Sequence, residues 1–190
     1  YGVGSSNFGY FGGGGIFNTP VSQIQRIAYN NDTNVAIFRG PLIVPVDASA
    51  AAGNVNFAYF GSGNQGGTLV QRITYSNDTS TAVLRGNLLT IRWGHSATGN
   101  SNFGYYTGAY PGFDSRLERI DYSNDTTIAS SRSQLTDALA RGATSSHSFG
   151  GSPISQYGVF AKPFGYFGGG ASAAGAIISK IDRIDYSNDT

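Results

Sequence analysis

The chain has no cysteine, which excludes disulfides and thiolate metal sites and leaves the redox compartment unmarked. It has no methionine either. Charge is scarce: charged residues make up 12% of 190 positions, where ordinary domains carry about 25%. Lysine occurs only as Lys162 and Lys180, and glutamate only as Glu118. Those two types favour helices and solubilise surfaces, so their scarcity beside abundant Asn, Ser and Thr fits a β-rich, uncharged exterior. The net charge of +1 leaves no electrostatic footprint for nucleic acid. No run of eighteen apolar residues exists, so membrane insertion is not expected. No signal peptide is visible, and the ends read as edges of a processed or longer protein. Tyr1-Gly-Val3 repeats Tyr157-Gly-Val159, and the last phrase breaks off at Thr190.

What is present is glycine, at 28 positions, with 39% apolar and 13% aromatic residues, enough for a core and against wholesale disorder. One phrase recurs four times. It opens as Asn7-Phe-Gly-Tyr-Phe-Gly-Gly13, Asn56-Phe-Ala-Tyr-Phe-Gly-Ser62, Asn102-Phe-Gly-Tyr-Tyr-Thr-Gly108 and Pro163-Phe-Gly-Tyr-Phe-Gly-Gly169. Each copy then reaches a second block, beginning at Arg26, Arg72, Arg119 and Arg183, of the form Arg-Ile-x-Tyr-x-Asn-Asp-Thr. The spacings of 46, 47 and 64 residues mark a repeat architecture, in which each unit buries its apolar face only against its neighbours. Features common to all copies therefore read as folding features, and individual function belongs where the copies differ.

The second copy predicts the unit. Residues 56–60 form a short aromatic strand ended by Gly61-Ser62-Gly63. Residues 69–75 alternate as a half-buried strand, and Ser76-Asn77-Asp78 is a turn. Residues 81–85 are a third strand, 88–93 a fourth, and 94–100 a connection to the next copy. Four short strands per unit describe a propeller blade. The expected fold is all-β: a kelch-like β-propeller in one domain, with three full repeats and a partial fourth (about 7–55, 56–101, 102–162 and 163–190). Copy three carries an insertion around 145–156, and 135–142 shows weak helical character. A helical alternative for the whole chain fails because glycine interrupts every stretch of helix length.

The pattern resembles the kelch repeat, with an apolar strand ending in a double glycine, a variable loop and a strand with tyrosine: Phe11-Gly12-Gly13 then Tyr29, and Phe167-Gly168-Gly169 then Tyr186. Arg92-Trp-Gly-His95 sits where kelch units often carry an arginine and a small or histidine residue. The tryptophan usual after the kelch tyrosine is absent, and copies two and three break the double glycine. A nearer likeness is to kelch-like repeat proteins of marine bacteriophages, matched by Phe164 to Gly170, Asp182 to Thr190 and Arg39 to Leu42. The resemblance implies a virion or surface component and supplies no catalytic residues.

Several chemistries are weighed and set aside. A cation site at Asp32, Asp78, Asp125 and Asp189 lacks the several carboxylates that hard cations need, so these aspartates read as caps of their own turns. Arg119 with Asp121, and Arg183 with Asp185, read as surface ion pairs worth about 0–1 kcal/mol each. Gly12-Gly-Gly-Gly15 lacks the helix and Lys of a phosphate loop. His95 reads as a packed histidine and His147 as an exposed one, with no triad or metal spacing around either. No catalytic residue, metal or cofactor is expected. Tyr29, Tyr75, Tyr122 and Tyr186 are structural positions of the repeat. The variable loop of copy three is the candidate binding feature: Tyr106, Tyr110 and Phe113 with Asp114 and Arg116 suit a sugar or protein partner, against packing on an adjacent blade.

The expectation is a structural and interaction protein of an extracellular or virion assembly, such as a fibre, tail or decoration element. It would present variable loops to a receptor, a host-surface glycan or a neighbouring subunit, as a homo-oligomer. The alternatives are a kelch-type adaptor propeller and a non-viral surface filament subunit; an enzyme is disfavoured by the absence of a His or carboxylate cluster.

Overall fold

A computed structural model describes residues 2–17, 19–146 and 164–188. Among them there is no α-helix, and the strands form successive antiparallel sheets. The first sheet begins with β1 (Gly2–Gly4) and β2 (Phe8–Gly12); a ribbon of β3 (Gly15–Ile16) and β4 (Thr19–Pro20) occupies the following loop. It ends with β5 (Ile24–Ala28) and β6 (Ile37–Phe38). The second sheet is β7 (Ala50–Gly53), β8 (Phe57–Gly61), β9 (Val70–Thr74) and β10 (Val83–Leu84). The third is β11 (Ser96–Gly99), β12 (Phe103–Thr107), β13 (Asp114–Asp121) and β14 (Ser130–Leu139). The fourth has β15 (Ala143–Ser146), β16 (Phe164–Gly168) and β17 (Ile181–Asp185). The order in every sheet follows the chain, and the sheets remain separate, without closing into one barrel.

Two strand expectations are corrected. Residues 88–93 are not a strand. Their N–H groups are satisfied elsewhere: Leu88 donates to Thr68 O, Leu89 to the Glu118 carboxylate and Arg92 to Ser62 Oγ. A segment so occupied has no ladder to join. The remaining strand of each sheet precedes the aromatic phrase, so β11 lies inside the supposed connection 94–100. These first strands are built from small residues, Ala-Ala-Ala-Gly in β7 and Ser-Ala-Thr-Gly in β11. The strands β1, β7, β11 and β15 contact one another in sequence, and the small side chains of β7 and β11 admit the neighbouring backbone. Residues 135–139 are likewise strand, the end of β14, because the segment pairs across irregular registers with β13. His147, Asp189 and all but the first residues of the 145–156 insertion lie outside the described residues.

The core lies between sheets. Tyr10, Ile24, Leu42 and Val46 of the first unit bury against Ala58, Phe60 and Ile73 of the second. Tyr59 and Val70 bury against Tyr106, Ile120 and Tyr122 of the third, and Tyr105 and Leu117 against Phe167, Ile184 and Tyr186 of the fourth. The glycine of Phe-Gly-Tyr is explained by the second-block tyrosine of the same unit. A Cβ on Gly9 would lie 3.2 Å from Tyr29 Cε1, and one on Gly104 would lie 2.7 Å from Tyr122 Oη. Each sheet thus has a trailing face, turned to the next unit, and a leading face, turned to the previous one.

Candidate functional site

Strand register assembles a clamp between consecutive units. Tyr10 is the cross-strand partner of Arg26, and Tyr59 of Arg72, so each pair shares one face. The phrase's first aromatic residue holds the arginine: the Arg26 guanidinium lies 4.0 Å from the Phe8 ring centre, and Arg72 lies 4.1 Å from Phe57. Both groups converge on the aspartate of the next unit. Asp78 accepts from Tyr10 Oη at 3.0 Å and Arg26 Nη1 at 2.7 Å, with Arg39 Nε at 3.2 Å. Asp125 repeats this with Tyr59 at 2.9 Å, Arg72 at 2.7 Å and Arg85 at 3.2 Å. Burial and the Asp78 carboxylate push the Tyr10 hydroxyl up to about 12, and burial with Asp125 raises Tyr59 further.

Three more contacts complete the joint. The second-block tyrosine stacks on the first-block tyrosine of the previous unit: Tyr75 on Tyr10 at 4.9 Å, Tyr122 on Tyr59 at 4.6 Å and Tyr186 on Tyr105 at 5.1 Å. Gly40 N–H donates to Asp78 O at 2.8 Å and Gly86 N–H to Asp125 O at 2.7 Å. A Cβ on Gly40 or Gly86 would enter the backbone of the neighbouring turn, at Ser80 and Thr127. An aromatic ring of the next unit fills the end of the first block: Phe60 against Gly12 and Tyr106 against Gly61.

Asp78 and Asp125 therefore do not serve as caps of their own turns, the role expected of them above. Asp78 and Asp125 are spent across the joint, and two guanidinium groups beside each carboxylate oppose a cation there. Asp32, on the leading face of the first unit, is exposed. The Arg119–Asp121 and Arg183–Asp185 surface pairs are also corrected. Asp121 accepts from Ser123 N at 2.9 Å and Oγ at 2.7 Å, and Asp185 from Ser187 N at 2.9 Å and Oγ at 2.6 Å. The Ser123 hydroxyl holds the Asp121 carboxyl below its ordinary range, with Arg119 a lesser cause.

The individual feature lies where repeats two and three meet. Tyr110 stacks on Trp93 at 4.6 Å, Phe113 meets Tyr110 edge-on at 4.6 Å, and the Arg141 guanidinium lies 5.4 Å from the Tyr110 ring. Tyr110, Phe113 and Trp93 are half-buried, and Pro111 and Gly112 at the loop tip are exposed. Beneath them Arg92 and Glu118 form a fully buried ion pair. Arg92 also donates to Thr90 Oγ1 at 2.9 Å and Gly108 O at 3.3 Å. Glu118 accepts from Leu89 N at 2.8 Å and Thr90 Oγ1 at 2.9 Å. The remaining polar atoms of such a pair need partners, and of these Arg92 Nε lacks one. Asp114 ties the loop to this base, 3.4 Å from Arg92 and 3.7 Å from Arg116, and accepts from Arg116 N at 2.8 Å.

Tyr106 is corrected as a binding residue. It is fully buried, donates to Tyr59 O at 3.0 Å and takes the position of Phe60 in the joint. The structure brings Tyr110, Phe113, Asp114 and Arg116 together and adds Trp93, Arg92, Arg141 and Glu118. A signal for two of these lay in the sequence: Glu118 is the chain's one glutamate and aligns with Gln25, Gln71 and Asp182, and Arg92 aligns with Val46. His95 is buried, and burial with nearby Arg92 lowers its pKa to about 3, leaving it neutral. No family model and no curated protein sequence matches the chain.

Proposed function

We propose that the chain is a non-catalytic scaffold of an extracellular or virion assembly, in which clamped sheets hold the third-repeat aromatic loop out to a receptor or surface glycan. The observation that carries this reading is the contrast between uniform joints and one unique loop. Asp78 and Asp125 make the same contacts, whereas the Trp93–Tyr110–Phe113 stack over Arg92–Glu118 occurs in one place among the described residues. Half-buried aromatics on a rigid base, with charged neighbours at their rim, suit sugar faces and protein anchors.

The sheets wind as the blades of a kelch-like propeller. Supporting this, the first strands converge on one cavity of about 190 Å³ lined by Gly2 of the first sheet, Ala51 of the second, Ala97 of the third and Gly142 just before the fourth. The kelch-like phage resemblance points the same way, to a structural component of the particle. The test is binding of the full chain to a glycan array and to host cell surfaces, beside a Tyr110→Ser/Phe113→Ser variant. The expected result is binding lost at least tenfold in the variant with its folded spectrum unchanged. Binding equal in both proteins, or absent in the wild type, rejects the loop as the presenting surface.

A further inference from the structure

The joint has two halves, and each end of the described repeat array displays one of them. The leading half comprises an aromatic ring, a stacked tyrosine and the aspartate. In units two to four the ring is buried: Phe60 is 1% exposed, Tyr106 0% and Phe167 3%. Its counterpart in unit one, Phe11, is 54% exposed. Tyr122 and Tyr186 are 9% and 6% exposed, whereas Tyr29 is 52% exposed, and Asp32 is exposed where Asp78 and Asp125 are buried. The trailing half comprises the tyrosine–arginine pair and an open glycine. Tyr10, Tyr59 and Tyr105 are fully covered, but Tyr166 is only half-buried. Arg183 is exposed where Arg26, Arg72 and Arg119 are half-buried, although it keeps its seat 4.3 Å over Phe164. A Cβ on Gly12 or Gly61 would lie 2.7 Å from the ring of the next unit, whereas one on Gly168 would meet, among the described residues, only its own sheet's Ile181 Cγ1, at 3.5 Å.

We infer that these two faces bind one another between molecules, so that a second copy of this chain docks head to tail. Its Asp32 meets Tyr166 and Arg183, its Tyr29 stacks on Tyr166, and its Phe11 covers Gly168. The commitment to a second copy rests on continuity with the internal joints, which already unite these chemical groups in the same pairing. The faces also match in sign and in shape, an exposed carboxylate and two exposed rings against an exposed guanidinium, a half-buried tyrosine and a glycine notch. The interface is heterologous: the surfaces differ, and after docking the pair still has one leading and one trailing face free, so association runs on into a ring or filament. The inference deepens the assembly reading above and rests on it for the premise that copies meet.

The test uses the full chain in sedimentation velocity across a concentration series. The wild type is expected to grow beyond a dimer as concentration rises. Asp32→Arg, which disables the leading face, and Gly168→Trp, which fills the trailing notch, each leave a monomer with an unchanged β spectrum. Asp32 is exposed and Gly168 half-buried, and the milder Asp32→Asn and Gly168→Val serve if either fails to fold. An equimolar mixture of the two blocked variants regains association but stops at one dimer, because each retains the face that the other lacks. A monomeric wild type overturns the inference and leaves the faces to a further repeat or another partner. Variants that associate as the wild type does overturn it, and so does a mixture that stays monomeric, which marks a symmetric interface. Glycan or cell-surface binding that persists in the blocked variants separates failure here from failure of the presentation reading.

Discussion

The repeat aspartate has one chemical identity and two circumstances along this chain. Asp78 gathers a phenol and two guanidinium groups from the preceding unit, Asp125 does the same, and Asp32 faces solvent. Hydrogen bonds to a charged group are worth about 1.5–3 kcal/mol each, and exposed surface changes usually stay within about 0.5 kcal/mol. Asp78→Asn and Asp125→Asn are therefore expected to lower chain stability by about 1.5–3 kcal/mol, and Asp32→Asn to leave the monomer unchanged, as read from urea midpoints. Equal losses at all three sites would show that the residue acts through its own turn. His95 adds a pH effect. Its folded pKa of about 3 lies below the ordinary 6.5, so between these values the unfolded chain binds the extra proton and stability falls as pH falls. Thermal unfolding from pH 6.5 to 5 should lose up to about 1.4 kcal/mol per pH unit, and His95→Leu should flatten that slope.

Glycines decide how closely the sheets approach. A Cβ on Gly61 would sit 2.7 Å from Tyr106 Cε1, a ring that has no room to withdraw because Tyr106 is fully buried. Gly61→Ala is expected to cost about 1–3 kcal/mol through overpacking, while Gly168→Ala costs the isolated chain little. Differential scanning of the two variants checks this, and a neutral Gly61→Ala would mean that the sheets can slide apart. The elongated β13 and β14 hairpin is the counterpart at the variable loop. Its irregular registers fall between Asp114 and Glu118, the stretch where the backbone must re-aim the loop while Leu117 and Glu118 stay buried.

For the whole molecule, each sheet depends on its neighbours, since the hydrophobic clusters lie between sheets. Sheets two and three are covered on both faces, so their central strands β8, β9, β12 and β13 should exchange amide hydrogens most slowly. The two-residue outer strands β6 and β10 should exchange fastest. Hydrogen-exchange mass spectrometry reads this gradient directly. Head-to-tail association should raise protection selectively in β2 and β16, and protection that rises evenly along the chain would speak against docking at those faces.

The recurring phrases, the alternation of 69–75 and the many turn residues determined an all-β chain of successive small sheets, because strand pairing and turn geometry are local properties that short sequence stretches encode. The aromatic loop of repeat three was legible for the same reason: Tyr110 and Phe113 depart from the repeat. Only the tertiary structure placed β11 ahead of the aromatic phrase, since 88–93 has strand-like composition but gives its N–H groups to other partners. It alone joined Asp78 to Tyr10, 68 residues away, and set Arg92 against Glu118. Those pairings depend on which faces stack and at what offset, and every copy of a repeat carries both halves of the joint without stating which unit it will meet.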